Sequence, residues 1–246
     1  MRRARTPAFD CAVKIGFLGD AAVGKTSTLR RMLEHRFYDD VVATVGIDFF
    51  QRIIDLEPRY RVSLKFWDTG GQERYRALIP AFTRELDVAC VLYDVSRADN
   101  AASVRRAVRD LVAALVPRGR PALIIVGNKL DMLAPDEGAD ADAESASVGD
   151  AGSSAVESRV RGTREAWCEA LGADLVGAFS SLDCVLVSAK SGHNVRRLEE
   201  MLYARGRETA RSLIKGYSAD DAPADAATIN LDAPEPAVQP ARRCAC

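Results

Sequence analysis

The chain reads Gly19-Asp20-Ala21-Ala22-Val23-Gly24-Lys25-Thr26, followed by Ser27, directly after the apolar run 13–18 and directly before a helical pattern. The spacing matches GxxxxGK[ST], a glycine-rich loop between a strand and a helix. Backbone N–H groups of such a loop surround phosphates, the lysine reaches the β- and γ-phosphates, and the threonine hydroxyl can bind Mg²⁺. The stretch therefore predicts a P-loop that binds a nucleoside triphosphate, without distinguishing a kinase from an ATPase or a GTPase.

Length and charge fit one nucleotide-binding domain with appendages. The chain has 246 residues and a net charge of -1, so it carries no global basic field that would hold nucleic acid. It contains no apolar run of about 18 residues, and its basic N-terminus lacks the apolar stretch of a secretory signal. We expect a cytosolic protein without nucleic-acid partners, in which Cys11, Cys90 and Cys184 are reduced, buried thiols of apolar runs.

Apolar runs of strand length alternate with helical patterns, which favours an α/β fold with a mostly parallel sheet. The link 56–59 is too short for a parallel crossover and predicts an antiparallel hairpin. The predicted strands are Cys11–Leu18, Ile47–Asp55, Val62–Trp67 (with Tyr60 opening this arm of the hairpin), Asp87–Tyr93, Ala122–Val126 and Asp183–Val187.

Two helices are predicted from apolar stripes with helical spacing, which should face the core. The stripes consist of Val104, Val108, Leu111, Val112 and Leu115, and of Val195, Leu198, Met201 and Leu202. Asp99 or Asn100 is expected to cap the first helix, and Asn194 the second.

Two segments depart from the compact pattern. Residues 134–157 are rich in Ala, Ser, Gly, Asp and Glu, which predicts a disordered acidic insertion or, alternatively, a docking loop for a partner. Residues 216–240 are rich in Asp, Ala and Pro and indicate a flexible tether. The predicted organisation is a basic extension 1–10, a nucleotide-binding domain 11–212 and a tail 213–246.

A second motif, Asp68-Thr69-Gly70-Gly71-Gln72, follows the strand that ends at Trp67. Because ligands of open α/β sheets bind at the carboxyl ends of the strands, Asp68 is expected to hold Mg²⁺ through water. Gly71 lets its N–H approach a γ-phosphate, and Gln72 can orient the attacking water. Thr44 is expected to complete the metal ligands.

A third motif, Asn128-Lys129-Leu130-Asp131, selects the base. The Asp131 carboxylate can accept hydrogen bonds from guanine N1–H and N2–H₂ together, a donor pair that adenine does not present. Asn128 is expected to brace the loop, and Lys129 to lay its stem along the base. Ser188-Ala189-Lys190 adds a backbone N–H for guanine O6 and a second lysine stem. The order of the three motifs predicts a guanine-nucleotide site.

From Ala12 to Ala210, apart from the acidic insertion, these motifs resemble the Ras superfamily of small GTPases, and most closely its Rab branch. The resemblance implies a small G domain whose six-stranded, mostly parallel sheet has one antiparallel edge strand and helices on both faces. It also implies GTP or GDP with Mg²⁺ as ligands, Lys25 and Gln72 as catalytic residues, and Thr26, Thr44 and Asp68 as metal ligands. The effector-facing residues would be Ile47, Phe49, Trp67 and Tyr75. The stretches 43–49, 76–80 and 192–195 are similar to the Golgi-associated Rab-six subfamily in particular.

Several residues depart from the family pattern. Val41 stands in place of a tyrosine that covers the phosphates, Gly70 replaces an alanine, and Ala21 lies beside the position of the γ-phosphate. Phe37 matches the aromatic ring that packs on guanine. The alternative is that Phe37 is an ordinary core residue at the end of a helix, since the sequence would be the same in either case. No arginine near the P-loop is an obvious finger in cis, so slow hydrolysis that an activating protein accelerates is expected.

The C-terminal stretch Arg242-Arg243-Cys244-Ala245-Cys246 resembles the Cys-x-Cys ending of Rab proteins. The resemblance implies geranylgeranyl groups on Cys244 and Cys246, and two such chains give stable membrane anchoring. The implied partners are an exchange factor, a GTPase-activating protein, effectors, Rab escort protein and GDP-dissociation inhibitor. The implied location is the cytoplasmic face of intracellular membranes, with the Golgi favoured, together with a cytosolic pool.

The sequence thus predicts a switch that hydrolyses GTP and regulates vesicle traffic. The alternative is an interaction protein that binds GTP and hydrolyses it negligibly.

Overall fold

The computed structural model describes residues 9–40, 42–57, 60–70, 83, 85–115, 120–133 and 163–214. Within these residues, strands and helices alternate along most of the chain, as the apolar pattern predicted. The strands are β1 Cys11–Leu18, β2 Ile47–Glu57, β3 Tyr60–Thr69, β4 Val88–Asp94, β5 Ala122–Asn128 and β6 Ser181–Leu186. The helices are α1 Lys25–Glu34, α2 Asn100–Ala114, α3 Arg164–Leu171, α4 Ala173–Val176 and α5 Val195–Leu213, and a 3-10 turn spans Leu130–Met132.

The strands form a six-stranded sheet in the order β2-β3-β1-β4-β5-β6. Every neighbouring pair is parallel except β2 and β3, whose antiparallel pairing begins at Ile47 opposite Thr69 and ends at Glu57 opposite Tyr60. The antiparallel strand lies at the edge because the short link confines it to a hairpin. The predicted fold class is therefore confirmed. Strand β2 is longer than predicted because its ladder continues to Glu57 at the turn, and β3 because its ladder continues at the other end to Thr69, opposite Ile47.

Helices cover both faces of the sheet. Helices α1 and α5 pack Leu29 and Leu198 on one face, and α2 and α3 pack Val108 and Trp167 on the other. Strand β4 is buried along its whole length because both of its faces are covered, which explains its continuous apolar sequence. The predicted stripes do face the core: Val104, Val108, Leu111, Val195, Leu198 and Leu202 are buried, and Val112, Leu115 and Met201 are partly buried against the same clusters.

Asp99 and Asn194 occupy the N-cap positions of α2 and α5, as predicted, but neither side chain bonds the helix that it caps. The carboxylate of Asp99 accepts two hydrogen bonds from Arg97 instead of bonding the start of α2, and Asn100 donates to the Val95 carbonyl. Asn194 adopts a left-handed conformation before α5, with φ of 55°, and its side chain donates to Leu186 O. Each side chain has found a partner outside the helix that it precedes, a competition to which Asn and Asp are prone.

The cysteine prediction holds only in part. None of the four cysteines in the described residues forms a disulfide bond, and Cys90 is fully buried. Cys11 and Cys184 are partly exposed, because they lie near the start or on the outer side of their strands rather than at the centre of the sheet.

Several predicted features lie outside the described residues. These are the acidic insertion 134–157, most of the tail with Cys244 and Cys246, and the residues Val41, Gly71, Gln72 and Tyr75. Among the helices described, none has the length and apolar character needed to cross a membrane.

Candidate functional site: a cavity for a guanine nucleotide

A cavity of about 690 Å³ opens at the carboxyl ends of the central strands. Its size is within the range of pockets that enclose a small ligand. It is lined by Ala21, Ala22, Gly24, Lys25, Thr26 and Ser27, by Phe37, Tyr38, Asp39, Val42, Ala43, Thr44 and Thr69, and by Asn128, Lys129, Asp131, Met132, Ala189 and Lys190. The structure therefore brings residues from all three sequence motifs into one cavity.

The shape of the P-loop depends on its two outer glycines. Gly19 has φ of 132°, and a Cβ there would lie 2.3 Å from the Leu92 carbonyl oxygen. Gly24 has φ of 93°, and a Cβ there would lie 2.2 Å from Nδ2 of Asn128. Any side chain at either position would meet both backbone strain and a collision, so the GxxxxG spacing is required for the loop to pass the ends of β4 and β5.

Lys25 is the buried cation of the loop, with 5% of its surface exposed. Its ammonium donates to the carbonyl oxygens of Gly19 at 3.0 Å and Asp20 at 2.7 Å. Burial lowers the pKa of Lys25 to about 8, against the opposing effect of the Asp68 and Asp20 carboxylates. The lysine is thus folded back over its own loop, where an anion entering the cavity would meet it.

Thr26, Thr44 and Asp68 meet beside the P-loop. The Thr26 hydroxyl donates to Asp68 Oδ2 at 2.6 Å and lies 2.8 Å from the Thr44 hydroxyl, which is itself 3.4 Å from Asp68 Oδ2. Burial raises the pKa of Asp68, while the hydrogen bonds from the two threonines and the charge of Lys25 oppose that rise.

The other carboxylate oxygen of Asp68, Oδ1, is buried and has no hydrogen-bond partner among the described residues. An unpartnered buried carboxylate oxygen beside two hydroxyls fits a hard divalent cation, since Mg²⁺ prefers oxygen ligands. The residues predicted to hold Mg²⁺ are therefore suited to it in chemistry and in position.

Asn128 joins the two ends of the cavity. Its Nδ2 donates to the Val23 carbonyl of the P-loop at 2.9 Å, and its Oδ1 accepts from the Ala189 N–H at 3.0 Å. The side chain braces both loops, in the role predicted for it. Because the Ala189 N–H already serves Asn128, guanine O6 would have to share that donor.

Asp131 and Lys129 lie at the base-binding end of the cavity. The Ser188 hydroxyl donates to Asp131 Oδ1 and accepts the Ser191 N–H at 3.0 Å. The Lys129 ammonium contacts Asp94 Oδ2 at 2.7 Å, and the Lys129 backbone is left-handed with φ of 68°. Ser188 thus holds the Asp131 carboxylate in place, and Asp94 holds the Lys129 ammonium. Together these groups form a polar wall at this end of the cavity, suited to a base.

Asp94 was not identified from the sequence, and no prediction was made for the side chain of Asp20. Asp94 is an acid at the carboxyl end of a strand, the same signal that identified Asp68, and it orients Lys129. The Asp20 carboxylate turns away from the cavity, accepts from Arg106 Nη2 at 2.7 Å and is bonded to the Ser103 hydroxyl, so its backbone rather than its side chain faces the ligand.

Three of the four predicted effector-facing residues, Ile47, Phe49 and Trp67, lie on the hairpin, and Tyr75 is outside the described residues. The rings of Phe49 and Trp67 pack edge to face with centroids 5.1 Å apart, and the Lys14 ammonium lies 5.1 Å from the Trp67 ring. Both rings and Ile47 are partly exposed. Next to them, the Gly70 N–H donates to Gly46 O at 2.8 Å and joins the two loops that flank the cavity.

The Ras family model matches residues 14–208. A human protein, EF-hand calcium-binding domain-containing protein 4B, is 42% identical over 125 residues, which make up 50% of this chain. The matched segment spans only 16% of that relative's length. The family match includes the P-loop, the Thr26–Asp68 pair and the base-binding loops, and it covers well over half of the chain. The chain belongs to the Ras family.

Proposed function

We propose that this protein is a Rab-type switch that binds GTP and GDP with Mg²⁺ and hydrolyses GTP slowly to GDP and phosphate. One observation carries the proposal. The cavity has Lys25 and the cluster of Thr26, Thr44 and Asp68 at one end, and Asp131 at the other. That order fits a triphosphate with Mg²⁺ at the end that contains Lys25 and Asp68, and a guanine base at the end that contains Asp131.

At the phosphate end, the chain's own groups would bind the phosphates and Mg²⁺ and orient the attacking water. The N–H groups of the P-loop and the Lys25 ammonium would bind the β- and γ-phosphates. Thr26, Thr44 and Asp68 would hold Mg²⁺, which neutralises charge that develops on the phosphate oxygens. Gln72 would orient the attacking water.

An arginine supplied in trans would complete the reaction. Arg106 contacts the P-loop, but its guanidinium is bound to the Asp20 carboxylate. This pairing supports the expectation that fast hydrolysis depends on an activating protein.

The switch would operate through the loops that carry Thr44 and Gly71. When the γ-phosphate is present, contacts with these residues would order both loops, and hydrolysis would release them. Effectors would read the adjoining surface of Ile47, Phe49, Trp67 and Tyr75. Ras-family membership implies exchange factors and activating proteins in general, and Rab escort protein and GDP-dissociation inhibitor belong to the Rab proposal.

The proposed biological role is regulation of vesicle traffic at Golgi membranes. It rests on the resemblance of residues 43–49, 76–80 and 192–195 to the Rab-six subfamily and on the Cys-x-Cys ending. Geranylgeranyl groups on Cys244 and Cys246 would anchor the protein to the cytoplasmic face of the membrane, because two lipid chains bind far more stably than one.

A single-turnover assay of GTP hydrolysis tests the enzymatic part. We expect wild-type protein with an activating protein to release phosphate at least about a hundredfold faster than without it. Gln72→Leu should reduce the unassisted rate because the attacking water loses its orientation. If wild type released no more phosphate than Gln72→Leu, even with an activating protein, the chain would be an interaction protein that binds GTP and hydrolyses it negligibly.

A further inference from the structure

We infer that Arg31 is a positioning residue for guanine recognition, acting through Ser188 on the carboxylate of Asp131. The inference rests on the proposed function, since it concerns how the same cavity reads its base. Arg31 lies near the C-terminal end of α1, the helix that begins in the P-loop. Its Nη2 donates to the Lys190 carbonyl at 2.7 Å, across 159 residues of sequence.

The Lys190 carbonyl is one end of a chain of hydrogen bonds that leads to Asp131. It shares a peptide group with the Ser191 N–H, which donates to the Ser188 hydroxyl at 3.0 Å. Because that oxygen accepts from Ser191, its single proton is directed to Asp131 Oδ1. Bonds that run in one direction strengthen each other, so a cation at the carbonyl end favours the bond at the carboxylate end.

The packing around Arg31 explains why the residue is an arginine. The guanidinium lies against Gly192, whose φ is 86° and where a Cβ would come within 3.4 Å of Arg31 Nε. That Nε is buried without a hydrogen-bond partner among the described residues, so the planar group rests on the loop while its two outer nitrogens donate. A lysine has no flat face to pack there and no fork that serves two acceptors.

The second outer nitrogen ties Arg31 to the other wall of the cavity. Its Nη1 donates to the His35 carbonyl at 3.3 Å. His35 is the left-handed residue that ends α1, two positions before Phe37, which lines the cavity. Arg31 therefore joins the wall that contains Phe37 to the wall that contains Lys190.

The test is the dissociation of fluorescent GDP and fluorescent IDP from the full-length protein. IDP lacks the exocyclic amino group, so the ratio of the two rates reports how well Asp131 reads that group. We expect Arg31→Ala to release GDP about tenfold faster than wild type, and to bring the IDP and GDP rates at least about threefold closer together. Arg196→Ala is the matched control, since Arg196 has 72% of its side chain exposed and pairs with Glu200 on its own helix. It should leave both rates unchanged.

Two further variants distinguish a role of Arg31 in positioning Asp131 from a general role in holding the two loops together. Arg31→Ala combined with Ser188→Ala should lose no more base discrimination than Ser188→Ala alone, because both act along one chain. Arg31→Lys keeps the charge but loses the two outer nitrogens that donate to separate acceptors, so it should behave like Arg31→Ala. This variant tests the inference even if Arg31→Ala does not fold.

Three results would overturn the inference. They are an unchanged GDP rate in Arg31→Ala, a faster loss of both nucleotides with an unchanged ratio, and wild-type behaviour of Arg31→Lys. Failure of the proposed guanine-nucleotide binding would be recognised separately, because wild-type protein would then bind neither nucleotide.

Discussion

At the scale of single residues, the site is a set of buried polar groups whose partners come from distant parts of the chain. The sequence predicted that Thr26, Thr44 and Asp68 would meet: Thr26 ends the P-loop motif, Asp68 follows the apolar run of β3, and Thr44 lies in the loop between α1 and β2. It did not predict that Asp94 holds Lys129 or that Asp20 turns to α2. Spacing identifies which groups reach a strand end, whereas side-chain packing decides which partner each group finds.

The buried ammonium of Lys25 predicts a pH dependence of nucleotide binding. An ordinary lysine stays charged to about pH 10, whereas burial lowers the pKa of Lys25 to about 8. A bound polyphosphate favours the ammonium and raises the pKa again, so binding near pH 8 takes up protons and affinity falls as the pH rises further. The uptake should be about half a proton per GDP at pH 8 and about a tenth at pH 7.

Calorimetric titrations of GDP in two buffers with different ionisation enthalpies measure this uptake directly. The pH 7 titration of the same protein is the control. Equal proton uptake at pH 7 and pH 8 would show that Lys25 keeps its ordinary pKa.

At the scale of elements, the strands and helices were predictable, whereas the hydrogen-bond partners of the residues at their ends were not. Runs such as 122–126 are apolar because the strand is buried on both faces, and burial of this kind is visible in sequence. Asp99 and Asn194 stand at the predicted starts of α2 and α5, but their side chains form hydrogen bonds outside those helices. The pairing that holds the edge strand to α5 was also invisible, because its members are 147 residues apart.

That pairing predicts a large effect of one arginine on stability. Arg52 of β2 contacts Glu199 at 3.1 Å and donates to the Tyr203 hydroxyl at 3.0 Å, and Tyr203 donates to Glu199 at 2.6 Å. The Arg52 and Glu199 side chains are only 17% and 10% exposed. Arg52→Ala would leave the Glu199 carboxylate buried without its cation, which should lower the free energy of unfolding by about 3 kcal/mol.

Arg61→Ala is the matched control on the same hairpin. Arg61 lies 3.8 Å from Asp55, and the two side chains are 49% and 83% exposed. Its loss should change the free energy of unfolding in urea by less than about 0.5 kcal/mol. Equal destabilisation by the two variants would mean that the buried cluster contributes no more than an exposed ion pair.

At the scale of the whole molecule, the parallel sheet turns separated motifs into one site. Strands β1, β3 and β5 end at the same edge, which places residues 19–26, Asp68 and residues 128–131 around one cavity. This much followed from the order of strands and motifs. The membrane role depends on residues 215–246, outside the described structure, and stays a prediction.

The predicted anchor can be tested on the whole protein in cells. Replacing Cys244 and Cys246 together by serine removes both sites of lipid attachment, so we expect tagged protein to move from Golgi membranes to the cytosol. Imaging and membrane fractionation of the variant beside wild type measure the change. An identical distribution of the two forms would contradict the proposed prenylation.

The central claim is that the cavity binds a guanine nucleotide, and competition for bound labelled GDP tests it most directly. With Mg²⁺ present, GTP should displace the label at concentrations at least about a thousandfold lower than ATP, because adenine cannot satisfy the Asp131 carboxylate. Displacement by ATP and GTP at the same concentration would contradict the account.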